Sequence, residues 1–237
     1  MNSTEHRPVQ SKKTTDHGGF FVTGTDTDVG KTFVAGCIAI SLIEEGISFA
    51  PRKPIASGCP RQEDGSLLAE DALFLQQSSQ STESLETICP YQFEPVISPH
   101  TAIKQANVPI TLSDLLVACK TRKNQLALVE GSGGFYSPIA MDGLNKDLAI
   151  KLSYPIILVV ANRLGCINQT LLNIQAIEAA GLCIHSIILN QVSASTEINY
   201  AEGLEGFTSY PIFETTFSIE KNPKAIKDWC FNLESSD

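Results

Sequence analysis

The chain has 237 residues, of which 26 are acidic and 17 are lysine or arginine, so its formal net charge is −9 at neutral pH. An acidic chain without a long basic run binds phosphate backbones poorly, which argues against a nucleic-acid partner. The longest strongly apolar stretch, residues 154–161, is far shorter than the roughly 20 residues that span a membrane, so we expect no membrane segment.

The cysteines and the N-terminus both favour a cytoplasmic protein. The seven cysteines are an odd number, and no two have the C-x-x-C spacing of zinc or redox sites. We therefore interpret them as small apolar core residues in a reducing compartment. The four histidines form no cluster, which disfavours a zinc enzyme. The first residues lack the charged start and apolar core of a secretory signal.

Residues 1–19 are polar and lack periodicity, so we predict a disordered extension there and a single ATP-binding domain over residues 20–237. From residue 20 onward, short apolar runs alternate with segments of helical periodicity. The predicted strands are 20–23, 47–54, 126–129, 155–161 and 183–189, and the predicted helices are 31–45, 66–77, 112–122 and 167–180. Residues 90–99 contain three prolines and are predicted to form an ordered, irregular loop.

Continuous apolar strands separated by amphipathic helices are typical of a parallel sheet that is covered on both faces. We therefore predict an α/β fold with a doubly wound, mainly parallel sheet flanked by helices. Ligands of such folds bind at the carboxyl ends of the strands. The loops that follow the predicted strands are consequently the place to search for functional residues.

Residues 24–32, Gly-Thr-Asp-Thr-Asp-Val-Gly-Lys-Thr, lie between the first strand and the first helix and predict a phosphate loop. Its backbone N–H groups and the helix N-terminus could surround phosphate oxygens, with Lys31 on the β- and γ-phosphates and Thr32 on magnesium. The alternative is a tight turn with a solvated lysine. The residues expected to contact nucleotide here are Thr27, Asp28, Val29, Gly30, Lys31 and Thr32.

Two features of this loop narrow the class of nucleotide-binding protein. Five residues, rather than the usual four, separate Gly24 from Gly30, and residues 25–27 lack the additional early lysine of switch ATPases of the partitioning type. Asp26 and Asp28 would lie beside phosphate. That placement is electrostatically costly unless they serve a cation, either magnesium or a substrate ammonium group.

The second predicted strand ends at Lys53, which would project toward the same edge of the sheet as Lys31. Two ammonium groups there could clamp a transferring phosphoryl group. A solvent-facing lysine is the alternative. Ser57, a few residues later, offers a hydroxyl group to a small ligand.

Glu130 follows a buried strand, at the position of a Walker B acid that holds magnesium. The residues after it, Gly131, Ser132 and Gly133, would allow the backbone to approach the γ-phosphate. The alternative is a plain glycine-rich turn.

Three further residues carry weaker signals. Asp71 lies near the start of a predicted helix, where an acid also simply complements the helix dipole. Asn190 and Gln191 follow the last predicted strand, and their amide groups could recognise an adenine edge or cap the next turn.

Together these motifs resemble the dethiobiotin synthetase family, which closes the ureido ring in biotin biosynthesis. The matching segments are residues 23–32, 53–58, 98–100, 129–134 and 164–168, in the family's order between residues 20 and 191. The resemblance implies a phosphate-loop NTPase fold and a homodimer whose active site the partner chain completes. It also implies four ligands: ATP, magnesium, diaminopelargonate and carbon dioxide or bicarbonate.

The resemblance also implies a role for each matching residue. Thr32, Asp71 and Glu130 would hold magnesium, Lys31 would bind phosphate, and Lys53 would be the active-site lysine. Substrate contacts are implied for Thr27, Asp28, Ser57 and Asn168, the last from the second subunit. Further nucleotide contacts are implied for Gly131, Ser132, Gly133, Asn190 and Gln191.

Some positions depart from the family pattern. Asp28 stands where many members have Glu, and Gln191 replaces a commoner Asp. Residues 213–218 lack the family's element that usually supports the nucleotide base, so the resemblance implies no base contacts for these residues.

Three other functions are compatible with parts of the pattern. A cobyrinate-amidating synthetase would normally have an additional glutamine-hydrolysing domain, and we expect no room for one in this chain. A nucleotide-dependent switch protein would carry the early lysine that is absent. A catalytically silent nucleotide-binding module would leave Lys53 and the paired carboxylates without a task.

Overall fold

The computed structural model describes residues 18–192 and 200–215 of the chain. The strands are β1 Gly19–Gly24, β2 Phe49–Arg52, β3 Ile55–Ser57, β4 Tyr91–Phe93, β5 Leu126–Gly134, β6 Pro138–Ala140, β7 Gly143–Leu144, β8 Ile156–Ala161, β9 Ile184–Asn190 and β10 Ile212–Thr215. The helices are α1 Lys31–Glu44, α2 Glu70–Ser78, α3 Leu85–Ile88, α4 Pro99–Ala106, α5 Leu112–Ala118, α6 Asn145–Leu152, α7 Cys166–Ala179 and α8 Ala201–Glu205. The predicted extension lies outside the described residues except for Gly18 and Gly19, and Gly19 begins β1.

Six strands form one parallel sheet in the order β10-β9-β8-β1-β5-β2, which confirms the predicted α/β fold with a mainly parallel sheet. Helices cover both faces. Phe20 and Phe21 are adjacent in β1 and therefore point to opposite faces. Phe20 lies in one core with Val34 of α1, whereas Phe21 lies in the other with Ile174 of α7. Burial on both sides explains why these strands have continuous apolar sequences.

Within the described ranges, no helix combines the length and apolar character that crossing a membrane requires. Five of the six cysteines in these ranges are buried, which agrees with their interpretation as small core residues, while Cys183 is exposed. Cys230 lies outside the described residues.

Several predicted elements have different bounds in the structure. The helix predicted from residue 66 begins at Glu70, because Asp64 accepts hydrogen bonds from the backbone and hydroxyl of Ser66 and holds it in a turn. The strand predicted over residues 47–54 is shorter and ends at Arg52, and β3 begins as a separate strand after Pro54, which has no N–H to continue a ladder. The predicted loop 90–99 contains β4, which pairs with β3 in a separate parallel sheet.

The register of the main sheet determines which functional residues meet. Val22 of β1 is paired with Glu130 of β5, and Arg52 of β2 is paired with Val129. Lys53 therefore leaves β2 beside Glu130. The phosphate loop leaves β1 on the other side of the same carboxylate, so two loops converge on Glu130 of β5 at this edge of the sheet.

Asn145, the first residue of α6, braces the glycine-rich end of β5. Its buried amide donates to the carbonyl oxygens of Ser132 (2.6 Å) and Gly134 (2.9 Å) and accepts from the Ser132 N–H (3.3 Å). A Cβ atom at Gly131 would come within 2.8 Å of the Asn145 oxygen and 3.1 Å of the Phe21 ring. Glycine is therefore needed at position 131 for this close approach.

We expect Asn145→Ala to lower the free energy of unfolding by about 2–3 kcal/mol, because buried backbone groups of β5 would lose their partners. The matched control is Asn173→Ala on α7, where the half-buried amide donates to Gln169 alone among the described contacts. That change should cost less than about 1 kcal/mol. Urea unfolding of both variants checks the prediction, and equal losses would contradict the bracing role.

Candidate active site

The candidate site lies at the carboxyl edge of the sheet, where the loops after β1 and β2 meet the glycine-rich end of β5. Its centre is a cluster of two cations and three oxygen-bearing side chains: Lys31, Lys53, Thr32, Asp71 and Glu130. Glu130 is fully buried and Lys53 nearly so, whereas the side chain of Asp71 is 46% exposed. Asp71 therefore provides the open side of the cluster.

The phosphate loop is held in shape by Asn190, at the end of β9. The Asn190 amide donates to the carbonyl oxygen of Val29 (2.9 Å), and its own oxygen accepts from the Thr215 hydroxyl (2.7 Å). Gly30 has a left-handed φ of 87°, and a Cβ atom there would collide with the Asn190 amide. Gly30 is thus required both by its backbone conformation and by the side chain that supports the loop.

Lys31 begins α1 and bends back over its own loop. Its Nζ donates to the carbonyl oxygen of Asp26 at 2.9 Å, and the residue is only 6% exposed. Burial, followed by repulsion from Lys53, lowers the pKa of Lys31 to about 8. Phosphate oxygens entering the loop would supply the negative charge that favours the protonated form.

Glu130 is the central acid of the cluster. Its Oε1 accepts hydrogen bonds from the Thr32 hydroxyl (2.8 Å) and from Lys53 Nζ (2.5 Å). Its Oε2 is buried and has no hydrogen-bond partner among the described residues. Burial raises the pKa of Glu130, with Lys53 acting in the opposite direction. The alternative of a plain glycine-rich turn is wrong here, since Glu130 to Gly134 belong to β5.

Lys53 lies between the two carboxylates. Its Nζ is 2.5 Å from Glu130 Oε1, 2.8 Å from Asp71 Oδ2 and 3.4 Å from the carbonyl oxygen of Gly131. Burial lowers the pKa of Lys53, but the two carboxylates outweigh it and the pKa is raised above its usual value. The pKa of Asp71 is lowered because the attraction of Lys53 outweighs burial. The alternative of a solvent-facing Lys53 is therefore wrong.

The chemistry of the cluster fits magnesium. Thr32, Asp71 and Glu130 all present oxygen atoms, the ligands that magnesium prefers, and the buried Glu130 Oε2 lacks a partner. Among residues 18–192 and 200–215, no group of three or more His, Cys, Asp or Glu residues could hold a metal ion. Two carboxylates and a hydroxyl suit an ion whose remaining ligands are water molecules and phosphate oxygens.

The two serines predicted for the site differ in their contacts. Ser57 is half-buried and donates its hydroxyl proton to the carbonyl oxygen of Ile97 at 2.6 Å, which leaves its oxygen free to accept. Ser132 is buried and donates to the carbonyl oxygen of Ile55 at 2.5 Å, so its side chain joins β5 to β3. Ser57 suits a ligand N–H group, whereas the side chain of Ser132 supports the fold.

The remaining predicted site residues lie in the loops that follow β1 and β9 and in the first turn of α7. Thr27 is exposed, and its N–H donates a hydrogen bond to the carboxylate of Asp26. Asp28 is also exposed and has a left-handed φ of 58°. Asn168 is exposed in the first turn of α7. The Gln191 N–H donates to the carbonyl oxygen of Thr215, the residue whose hydroxyl group donates to Asn190.

Two structural supports were absent from the sequence prediction. Asn145 fixes the backbone after Glu130, and Thr215 orients Asn190. Each acts on a residue distant in sequence, and neither stands in a recognisable motif. The one available signal was a polar residue at an element boundary, which is common in any chain.

The chain is similar in sequence to known proteins over most of its length. A family model described as an AAA domain matches residues 18–223. An ATP-dependent dethiobiotin synthetase from Ruthia magnifica is 38% identical over 174 residues, covering 73% of this chain and 80% of the relative. The Chromohalobacter salexigens protein of that name is 42% identical over 167 residues, covering 69% and 70%.

Structural similarity extends to a more distant class. The septum site-determining protein MinD from Pyrococcus horikoshii, solved with Mg-ADP, aligns with a TM-score of 0.51 at 17% identity, covering 91% of this chain and 95% of that chain. At this identity the likeness shows the phosphate-loop fold alone. The sequence relatives are specific, and they show that the chain belongs to the family of ATP-dependent dethiobiotin synthetases.

Proposed function

We propose that this chain is an ATP-dependent dethiobiotin synthetase, which forms the ureido ring from diaminopelargonate and carbon dioxide and releases ADP and phosphate. The observation that carries the proposal is the position of Lys53, buried between Glu130 and Asp71 directly beside the phosphate loop. A simple nucleotide-binding module has no need for this second buried lysine. The named relatives support the same activity.

In this proposal the loop of residues 27–32 holds the phosphates of ATP, and Lys31 exchanges its bond to Asp26 for one to phosphate oxygen. Thr32, Asp71 and Glu130 would hold magnesium, which would neutralise phosphate charge when bound. Gly131, Ser132 and Gly133 would bring the backbone of β5 near the γ-phosphate. Asn190 and Gln191 would lie near the base.

The proposed reaction needs positioned charge rather than a protein nucleophile. One amine of the substrate adds to carbon dioxide and loses a proton, giving a carbamate. A carbamate oxygen attacks the γ-phosphorus and ADP leaves. The second amine then attacks the carbonyl carbon and expels phosphate, which closes the ring. Lys31 and Lys53 would stabilise the negative charge on the phosphoryl and carbamate oxygens.

The diamine would bind beside the cluster. The Ser57 oxygen can accept an N–H from the substrate because its own proton is donated to Ile97. Thr27 and Asp28 would lie near the amines, where the Asp28 carboxylate attracts ammonium. We further propose a cytoplasmic homodimer in which Asn168 of the partner subunit contacts the carboxylate end of the substrate. Its exposure on α7 suits that role.

Direct product detection tests the function. The purified protein with ATP, magnesium, bicarbonate and diaminopelargonate should yield dethiobiotin, measured by mass spectrometry, with one phosphate released per ring. Phosphate release should fall to background when either the diamine or bicarbonate is left out. Phosphate release that ignores the diamine and responds to a macromolecular partner would instead favour a switch ATPase.

Lys53→Gln should lower kcat by about 100-fold or more, because a donor aimed at developing charge is lost. The KM for ATP should change much less, since Lys31 and the loop backbone remain. Steady-state kinetics measure both constants. Lys104→Gln, at an exposed position on α4, is the control and should behave as the unaltered enzyme. Near-normal ring formation by Lys53→Gln would remove Lys53 from the mechanism.

Asn190→Ala should weaken ADP binding by about tenfold, because Val29 loses its buried partner and the loop is released. Calorimetry with tripolyphosphate, which has no base, separates two roles of this amide. If Asn190 supports the loop, binding of tripolyphosphate weakens as well. A loss confined to ADP would mean that Asn190 acts only on the adenine.

A further inference from the structure

The mechanism assigns Lys53 to the reacting oxygens, yet the structure places its ammonium group elsewhere. Lys53 Nζ contacts Glu130 Oε1 (2.5 Å), Asp71 Oδ2 (2.8 Å) and the Gly131 carbonyl oxygen (3.4 Å). An ammonium group has three N–H donors, so all three are directed at acceptors. Lys53 must leave at least one of these partners before it can donate to a phosphoryl or carbamate oxygen.

The partners of Lys53 are also the oxygens suited to magnesium. The Thr32 hydroxyl donates to the same Glu130 Oε1 that accepts from Lys53. A divalent ion on the unpartnered Glu130 Oε2 would lie beside the Lys53 ammonium group on Oε1 of the same carboxylate. Repulsion between the two cations in a buried site disfavours joint occupancy.

Resting on the proposed function, we infer that Lys53 acts as an internal substitute for the divalent cation. Its ammonium group neutralises Glu130 and Asp71 until metal and nucleotide enter together, and it is then displaced toward the reacting oxygens. A fully buried Glu130 needs such a cation, since an unpaired buried charge is strongly destabilising. Displacement delivers the catalytic ammonium only when the nucleotide is bound.

Two details of the structure support exchange of the side chain alone. The Lys53 N–H donates to the carbonyl oxygen of Ile88 at 2.8 Å, which fixes the backbone while the four-carbon arm can rotate. Asp71 is the half-exposed member of the cluster and gives a metal ion its approach. Lys31 does not take this role, because its Nζ is directed at Asp26.

Metal binding without nucleotide tests the inference. Mn²⁺ affinity, measured from the electron paramagnetic resonance signal of the free ion, should be at least about tenfold higher for Lys53→Met than for the unaltered protein. Lys31→Met removes an equal charge nearby but not the competing group, and should change the affinity by no more than about threefold. Equal gains in both variants, or no gain for Lys53→Met, would overturn the inference.

A second measurement uses the unaltered protein and does not depend on whether Lys53→Met folds. The ¹³Cε signal of Lys53, assigned by its absence from Lys53→Arg, should shift when Mg²⁺ and ADP are added together. Mg²⁺ alone should leave it in place. A signal that stays unchanged with both ligands would refute displacement. Neither experiment uses the diamine or turnover, so failure of ring closure and failure of this inference are distinguishable.

Discussion

The ion pair between Glu130 and Lys53 is the interaction on which the rest of the site depends. Glu130 is fully buried in the central sheet, so its charge requires a partner close by. The register that sets β2 against β5 brings Lys53 to it, and Thr32 reaches the same oxygen from the start of α1. One buried carboxylate thereby connects the phosphate loop, the second strand and the glycine-rich end of β5.

A second constraint fixes the backbone around this charge cluster. Asn190 supports the phosphate loop from β9, and Asn145 supports the end of β5 from α6. Both amides act on backbone carbonyl groups near glycines, where a larger residue would collide with the supporting side chain. The site is consequently preorganised by side chains outside the phosphate motif, and electrostatic catalysis needs such fixed geometry.

The fold and the centre of the site could be predicted from the sequence because both depend on local signals. Continuous apolar strands indicate a parallel sheet, and the phosphate loop and Lys53 follow strand ends, while Glu130 lies inside β5. The pairing of β4 with β3 and the braces from Asn145 and Thr215 depend on contacts between residues of different elements. No spacing rule encodes those contacts. The sequence also does not predict that the Lys53 ammonium group points toward Glu130 and Asp71.

In the proposed reaction, ATP and the carbamate meet in one cleft, so that the γ-phosphoryl group passes directly to a carbamate oxygen. A brief reaction with ¹⁸O-labelled bicarbonate tests it, with the released phosphate analysed by mass spectrometry. We expect one labelled oxygen in the phosphate for each dethiobiotin formed, because the P–O bond made in the first transfer survives ring closure. Unlabelled phosphate accompanying dethiobiotin would contradict it.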